Sequence, residues 1–188
     1  MQCDRYWFLT WTTYSSWLPG DPRGFVSDVQ TSDGSTIRHN VPQTDYDADM
    51  PALEAFAASQ QKAGPVRLSE TQAVLLLDQF QETAGVRQWT LFAIAIMANH
   101  CHLVVGVPGD PDPETLLRDF KSYGSRKLNR NGQPVPLDKR WTKSGSKRKL
   151  PDDQAVLNAI QYTIGQEFPL VIWVNDFPEL NLKRGRLV

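Results

Sequence analysis

The chain has 188 residues, 40% of them hydrophobic and 22% charged, the make-up of one ordinary globular domain with room for an insertion. No apolar run approaches the roughly 18–20 residues of a membrane span, and the polar start Met1-Gln2-Cys3-Asp4-Arg5 does not read as a secretory signal. The formal net charge of −1 hides a strong segregation: Arg118 to Lys149 holds eleven Lys/Arg against Asp119 and Asp138, while Asp28 to Glu54 holds six acids against Arg38 alone. A basic stretch of that density suits a polyanion-facing surface, although a solvated helix and loop would look the same. Cys3 and Cys101 lack zinc-finger spacing, and a reducing cytoplasm is the simpler setting for them.

Arg5 to Tyr14, rich in aromatic and β-branched residues, reads as a strand. Residues 17 to about 68 carry turn clusters and one short helical stretch near Pro51 to Ala63. They read as a partly irregular insertion in a single domain spanning 1–188. Ser69 to Ala84 reads as a helix, opened by a Ser69/Gln72 capping box and closed by Gly85. Gln88 to Met97 and His100 to Val107 read as two strands joined by the tight link Ala98-Asn99. Asp112-Pro113-Glu114 opens a helix that runs to about Arg130. A loop with a strand near Trp141 follows. Pro151-Asp152-Asp153 opens a last helix that stops before Phe168-Pro169, and Pro169 to Val174 reads as a closing strand. The tail Lys183-Arg184-Gly185-Arg186 is basic. This order predicts an α+β fold, a ferredoxin-like antiparallel sheet with helices on one face.

The first chemical signal is His100-Cys101-His102. On a strand, residues i and i+2 share a face, so two imidazoles can ligate one divalent cation while Cys101 points the other way into an apolar layer. Two surface histidines on a half-exposed strand fit the same pattern. A third ligand has to come from elsewhere, and an oxygen donor would suit Mg²⁺ or Mn²⁺.

The second signal is Tyr162 with Gln166, four apart and stacked on one helix face away from the apolar stripe Val156, Leu157, Ala159, Ile160 and Ile164. An exposed Tyr, or one packed on another element, is the bland alternative. Tyr123, on the flank of its own helix stripe, is the rival hydroxyl. The third signal is basic: Arg118, Lys121 and Arg126 on the polar side of one helix, then Lys143, Lys147, Arg148 and Lys149 on a following loop. Such groups contact phosphates and position nucleic acid without reading sequence. Trp141 could stack an unpaired base. There is no Walker A loop and no GxSxG, so neither NTP-driven chemistry nor a serine nucleophile elbow is indicated.

Met97-Ala98-Asn99-His100-Cys101-His102-Leu103 resembles the M-P-N-H-x-H-L segment of single-tyrosine HUH transposases, including the REP-associated and insertion-sequence members. Ala98 stands where that family usually has Pro. Tyr162-Thr163-Ile164-Gly165-Gln166 resembles its Y-x-x-x-Q, 60 residues beyond His102. Lys121 to Asn129 resembles the helix before it. The resemblance covers Arg5 to Tyr14 and Ser69 to Val174.

It implies a metal-dependent enzyme that cuts single-stranded DNA beside a hairpin. His100, His102 and Gln166 would hold Mg²⁺ or Mn²⁺. Tyr162 would attack phosphorus to leave a 5′-phosphotyrosine and a free 3′-OH. The resemblance also implies a bacterial-type cytoplasmic protein, nucleoid-associated when bound to DNA, with a homodimer among its possible states. Outside that reading stand a hydrolytic metal nuclease, a non-catalytic hairpin-binding relative, and an RNA-binding protein.

Overall fold

A computed structural model describes residues 3–21, 27–30, 35–39, 50–176 and 185–186. Its centre is a six-stranded sheet in the order β6-β1-β5-β4-β7-β8. The strands are β1 (Arg5–Thr12), β4 (Thr90–Ile96), β5 (His100–Val107), β6 (Ser146–Leu150), β7 (Val171–Val174) and β8 (Gly185–Arg186). Every neighbouring pair is antiparallel. β1 and β4 therefore run the same way with β5 between them, and α2 (Glu70–Arg87) joins them as a split β-α-β unit. α3 (Pro113–Arg130) leads from β5 towards β6, and α4 (Asp153–Ile164) leads from β6 towards β7. The insertion contributes a two-stranded hairpin, β2 (Ser27–Gln30) with β3 (Thr36–His39), and a short helix, α1 (Pro51–Ser59).

The helix starts follow the local chemistry. Ser69 accepts from the Gln72 amide while the Gln72 side chain accepts from the Ser69 amide, the capping box read from sequence. Asp112 caps α3 just ahead of Pro113, and Asp152 caps α4 through the Ala155 amide. The stop of α2 differs from expectation. The helix passes through Gly85 and ends at Gln88, which takes the left-handed conformation at φ 59°. A helical glycine costs only about 1 kcal/mol relative to alanine, too little to end a helix whose next turn is held by tertiary contacts. One such contact is the ion pair of Arg87 with buried Asp119 of α3, at 2.7 Å.

The α+β class and the antiparallel sheet are as expected, but the helices do not gather on one face. Leu9, Trp11, Leu103 and Val105 pack with α2 and α3, through Leu76, Phe80, Leu117 and Phe120. Gly124 lets those two helices approach, because a Cβ there would lie 2.9 Å from Leu76 Cδ2. Ala93, Val104 and Val174 point the opposite way and pack with Val156 and Ile160 of α4. The cause is β5 itself: after His102 it is apolar at successive positions, so both of its faces must be covered.

The expected strand near Trp141 is only an isolated bridge to Thr13, and the chain pairs fully with β1 five residues later. Lys147, Arg148 and Lys149 therefore stand on an edge strand rather than on the expected loop. Gly145 permits the close approach that starts this pairing, since a Cβ there would sit 2.6 Å from the Thr10 carbonyl oxygen. Lys183 and Arg184 of the basic tail lie outside the described residues.

Candidate functional site

β5 carries the paired histidines at its first and third residues, so both face the α4 side while Cys101 is fully buried against α2 and α3. Burial raises the Cys101 thiol pKa far above its usual value, which leaves it an inert apolar residue. The two imidazole centroids are 4.8 Å apart.

Each ring is oriented through Nδ1. That of His100 lies 2.7 Å from Asn99 Oδ1, and that of His102 lies 2.8 Å from Thr10 Oγ1 on β1. Because Asn99 Oδ1 can only accept, His100 Nδ1 is the donor in that bond. His102 is 5% exposed, and burial first, then the neighbouring His100, pushes its pKa down to about 3. It is therefore neutral at physiological pH, the form in which an imidazole ligates a metal.

α4 brings Tyr162 to this pair. Its ring stands edge-on to His102 at 5.4 Å and edge-on to Phe8 at 5.7 Å, while Phe8 stacks on His102 at 5.4 Å. Tyr162 is nonetheless 56% exposed, so a reactant can reach it. Trp17, at the start of the insertion, lies edge-on to His100 at 6.3 Å. Gln166 follows the end of α4, and its Nε2 donates to the Tyr162 carbonyl at 2.9 Å. That bond holds the side chain beside the tyrosine and leaves Oε1, the atom a hard cation prefers, outside it. Tyr123, the rival hydroxyl, sits on α3 beneath the Arg126 guanidinium at 5.1 Å, on the other side of the sheet from the histidines.

The basic residues expected to meet nucleic acid divide among different surroundings. In an antiparallel ladder, directly paired residues share a face. Arg148 pairs with Phe8 and so faces the histidines and Tyr162. Lys147 and Lys149 pair with Leu9 and Trp7 and face α3. Lys147 is ion-paired there with Glu114 at 2.6 Å. Lys121 is not a free surface cation. Its Nζ donates to the carbonyl oxygens of Thr142, Lys143 and Ser144, and burial pushes its pKa down to about 8. Arg118 lies 3.7 Å from Asp119, and Lys143 is exposed at the sheet edge. Trp141 stands edge-on to Trp11 at 6.1 Å and donates its Nε1–H to the Lys121 carbonyl, so it is in large part a packing residue.

Sequence reasoning assigned no role to Phe8, Thr10, Asn99 or Arg140. Phe8 and Thr10 were accessible in principle, as alternate residues of the first strand. They needed the β1–β5 register, in which Thr10 pairs with His102.

A strand bearing two oriented imidazoles, with a tyrosine from the last helix against one of them, is the arrangement the sequence resemblance implied. Residues 67–145 match the family described as transposase, IS200-like. The match takes in both histidines and ends before Tyr162. No curated protein sequence matches. Among solved structures, a REP-associated tyrosine transposase bound to a REP hairpin superposes with a TM-score of 0.48 at 13% identity, over 86% of this chain and 66% of that one. A candidate transposase from Deinococcus radiodurans R1 superposes with a TM-score of 0.45 at 13% identity, over 89% of this chain and 95% of that one.

Proposed function

We propose that this transposase-like chain cuts and rejoins single-stranded DNA beside a hairpin by transesterification, with Tyr162 as nucleophile. The observation that carries the reading is the approach of the Tyr162 ring to within 5.4 Å of His102, which itself lies 4.8 Å from His100. These donors fit a Mg²⁺ or Mn²⁺ ion. Two imidazoles with oriented rings share one face, and Gln166, tied by its Nε2 to the Tyr162 carbonyl, keeps its amide oxygen outside that bond. Among the described residues no group of three or more His, Cys, Asp or Glu offers another centre. When bound, such an ion polarises the scissile phosphate and offsets the charge that develops on it.

The chain's own residues do the rest. Tyr162 Oη attacks phosphorus, the bond from phosphorus to the 3′ oxygen breaks, and the phenolic proton passes to water. The leaving 3′ oxygen takes up a proton and becomes a free 3′-OH. One phosphodiester is exchanged for another, so the reverse step with a different 3′-OH joins strands without ATP. Phe8 fixes the His102 and Tyr162 rings through their shared contacts. Arg148, on the same face, is placed to meet a flanking phosphate.

The test is incubation with a panel of single-stranded oligonucleotides carrying hairpins, in Mn²⁺ and in Mg²⁺. A covalent protein–DNA adduct on a denaturing gel is expected from the wild type and absent from Tyr162→Phe. Normal cutting by Tyr162→Phe would instead favour hydrolysis by water. No cutting with any metal, together with unchanged hairpin affinity in His100→Ala, would favour a non-catalytic binding protein. Preference for a hairpin RNA over the matching DNA would favour the RNA-binding reading.

A further inference from the structure

Between α3 and residues 138–143 lies an open cleft of about 350 Å³, lined among others by Arg118, Lys121, Ser122, Arg140, Trp141 and Lys143. Arg140 is only 2% exposed. Its Nη2 donates to Asn129 Oδ1 and to the Gln133 carbonyl oxygen, but Nε and Nη1 have no hydrogen-bond partner. Among the described residues no carboxylate forms an ion pair with it. A guanidinium has five N–H donors and does not shed its charge, so burying one with donors unmet is costly unless a counter-anion completes the site. Of the two carboxylates lining the cleft, Glu114 is engaged with Lys147 and Asp138 is exposed and forms no ion pair with Arg140, while the other charged walls are cationic. Burial holds Lys121 well below an ordinary lysine, and an anion in the cleft would reverse that shift.

We infer that this cleft is a phosphate subsite, built on Arg140 and walled by Arg118 and Lys143, that takes a backbone phosphodiester of the bound nucleic acid. The inference rests on the nucleic-acid part of the proposed function and not on the tyrosine chemistry. Trp141 and Leu117 add an apolar wall beside the cations, which suits a nucleotide better than a free anion. Position supports the same occupant. The cleft opens on the α3 side, whereas the histidines and Tyr162 face α4, and the basic edge strand β6 lies between the two. A strand leaving the site past Arg148 meets that edge first and Lys143 next. Arg140 is thus a binding residue remote from the reacting atoms.

The full chain, labelled with ¹⁵N, is titrated separately with inorganic phosphate and with a hairpin oligonucleotide bearing a single-stranded flank, while the buried Arg140 Nε–H resonance is followed. The oligonucleotide is expected to shift that resonance at concentrations at least tenfold below those inorganic phosphate requires. The double variant Arg118→Ala/Lys143→Ala changes only surface cations and so tests the cleft without disturbing the core. It should bind the oligonucleotide about tenfold more weakly, with its salt dependence reduced by about 1.5 in log–log slope.

A shift with inorganic phosphate alone, or an unmoved Arg140 resonance together with unchanged affinity and slope in the double variant, overturns the subsite. The cleavage reading is scored separately by the covalent adduct. An Arg140 shift without any adduct leaves the subsite standing and removes the tyrosine mechanism, and an adduct without the shift does the reverse.

Discussion

The two faces of the sheet are built from the same strands but packed differently. On one face, Trp11, Phe80, Trp89 and Phe120 form a chain of edge and tilted ring contacts at 5.4–5.6 Å, beneath two helices of 18 residues each. On the other, among the described residues, one helix of 12 residues covers Ala93, Val104 and Val174 and ends two residues past Tyr162. What that helix leaves partly open is the set of rings formed by Phe8, His100, His102 and Tyr162. On the proposed function the difference separates stability from chemistry: full cover by two helices on one side leaves the other side able to present polar groups to a reactant.

The sharpest way to test this contrast is one substitution on each side. Tyr162→Phe keeps the ring contacts with Phe8 and His102, and Tyr162 is largely exposed. All covalent adduct should vanish while the thermal midpoint stays within a degree or two. Phe80→Ala should lower unfolding stability by about 3–5 kcal/mol while its folded fraction still forms adduct, as chemical denaturation and single-turnover assays would show. Loss of adduct per folded molecule in Phe80→Ala would break the separation.

Acid should expose the difference next. His102 has a pKa of about 3 in the folded chain, because burial and then His100 disfavour its charged form; its unfolded value is about 6.5. Between those values the unfolded chain binds the proton and the folded chain does not. Stability should therefore fall as pH drops from about 6.5 towards 3, at up to about 1.4 kcal/mol per pH unit from this group. His102→Asn should flatten that slope in metal-free buffer, and Cys101→Ala, on the other face, should not.

A smaller effect separates adjacent cations. Arg148→Ala should slow adduct formation about tenfold at saturating DNA, because Arg148 shares the face of Tyr162. Lys149→Ala, one residue on and facing α3, should weaken binding slightly and leave the saturated rate unchanged. Equal rate losses in the two would mean that the sheet's alternation does not sort their roles. Smallest of all, Gln88→Gly should stabilise the chain by about 0.5–1 kcal/mol, because glycine adopts the φ of 59° found there without strain. Adduct formation should be unaffected.

Much of this was legible in the sequence wherever the signal is local. The bounds of β5, the Ser69/Gln72 capping box, the Asp112-Pro113 helix start and the opposite orientation of Cys101 each follow from a few neighbouring residues. Where long-range pairing decides, the local signal misled. Lys147 to Lys149 have poor strand propensity and form a strand because β1 offers a free edge. The two-sided cover of the sheet is written in the unbroken apolar run from Leu103 to Val105, whereas the expectation of helices on one face came from the order of the elements. Gly85 looked like a stop because local rules do not see the Arg87–Asp119 pair beyond it. At the site, the His pair and Tyr162 could be named because their spacings are regular. Arg140 could not, since its burial and unmet donors exist only once α3 and the following loop have closed around it.

Both imidazoles and the phenol beside them come from one chain, with ring centroids 4.8 and 5.4 Å apart. On the proposed chemistry, a site that draws all three rings from one chain is not complemented by a second copy. Mixing a Tyr162→Phe protein with a His100→Ala protein should restore nothing, and a mixture of wild type with either should lose activity only by dilution.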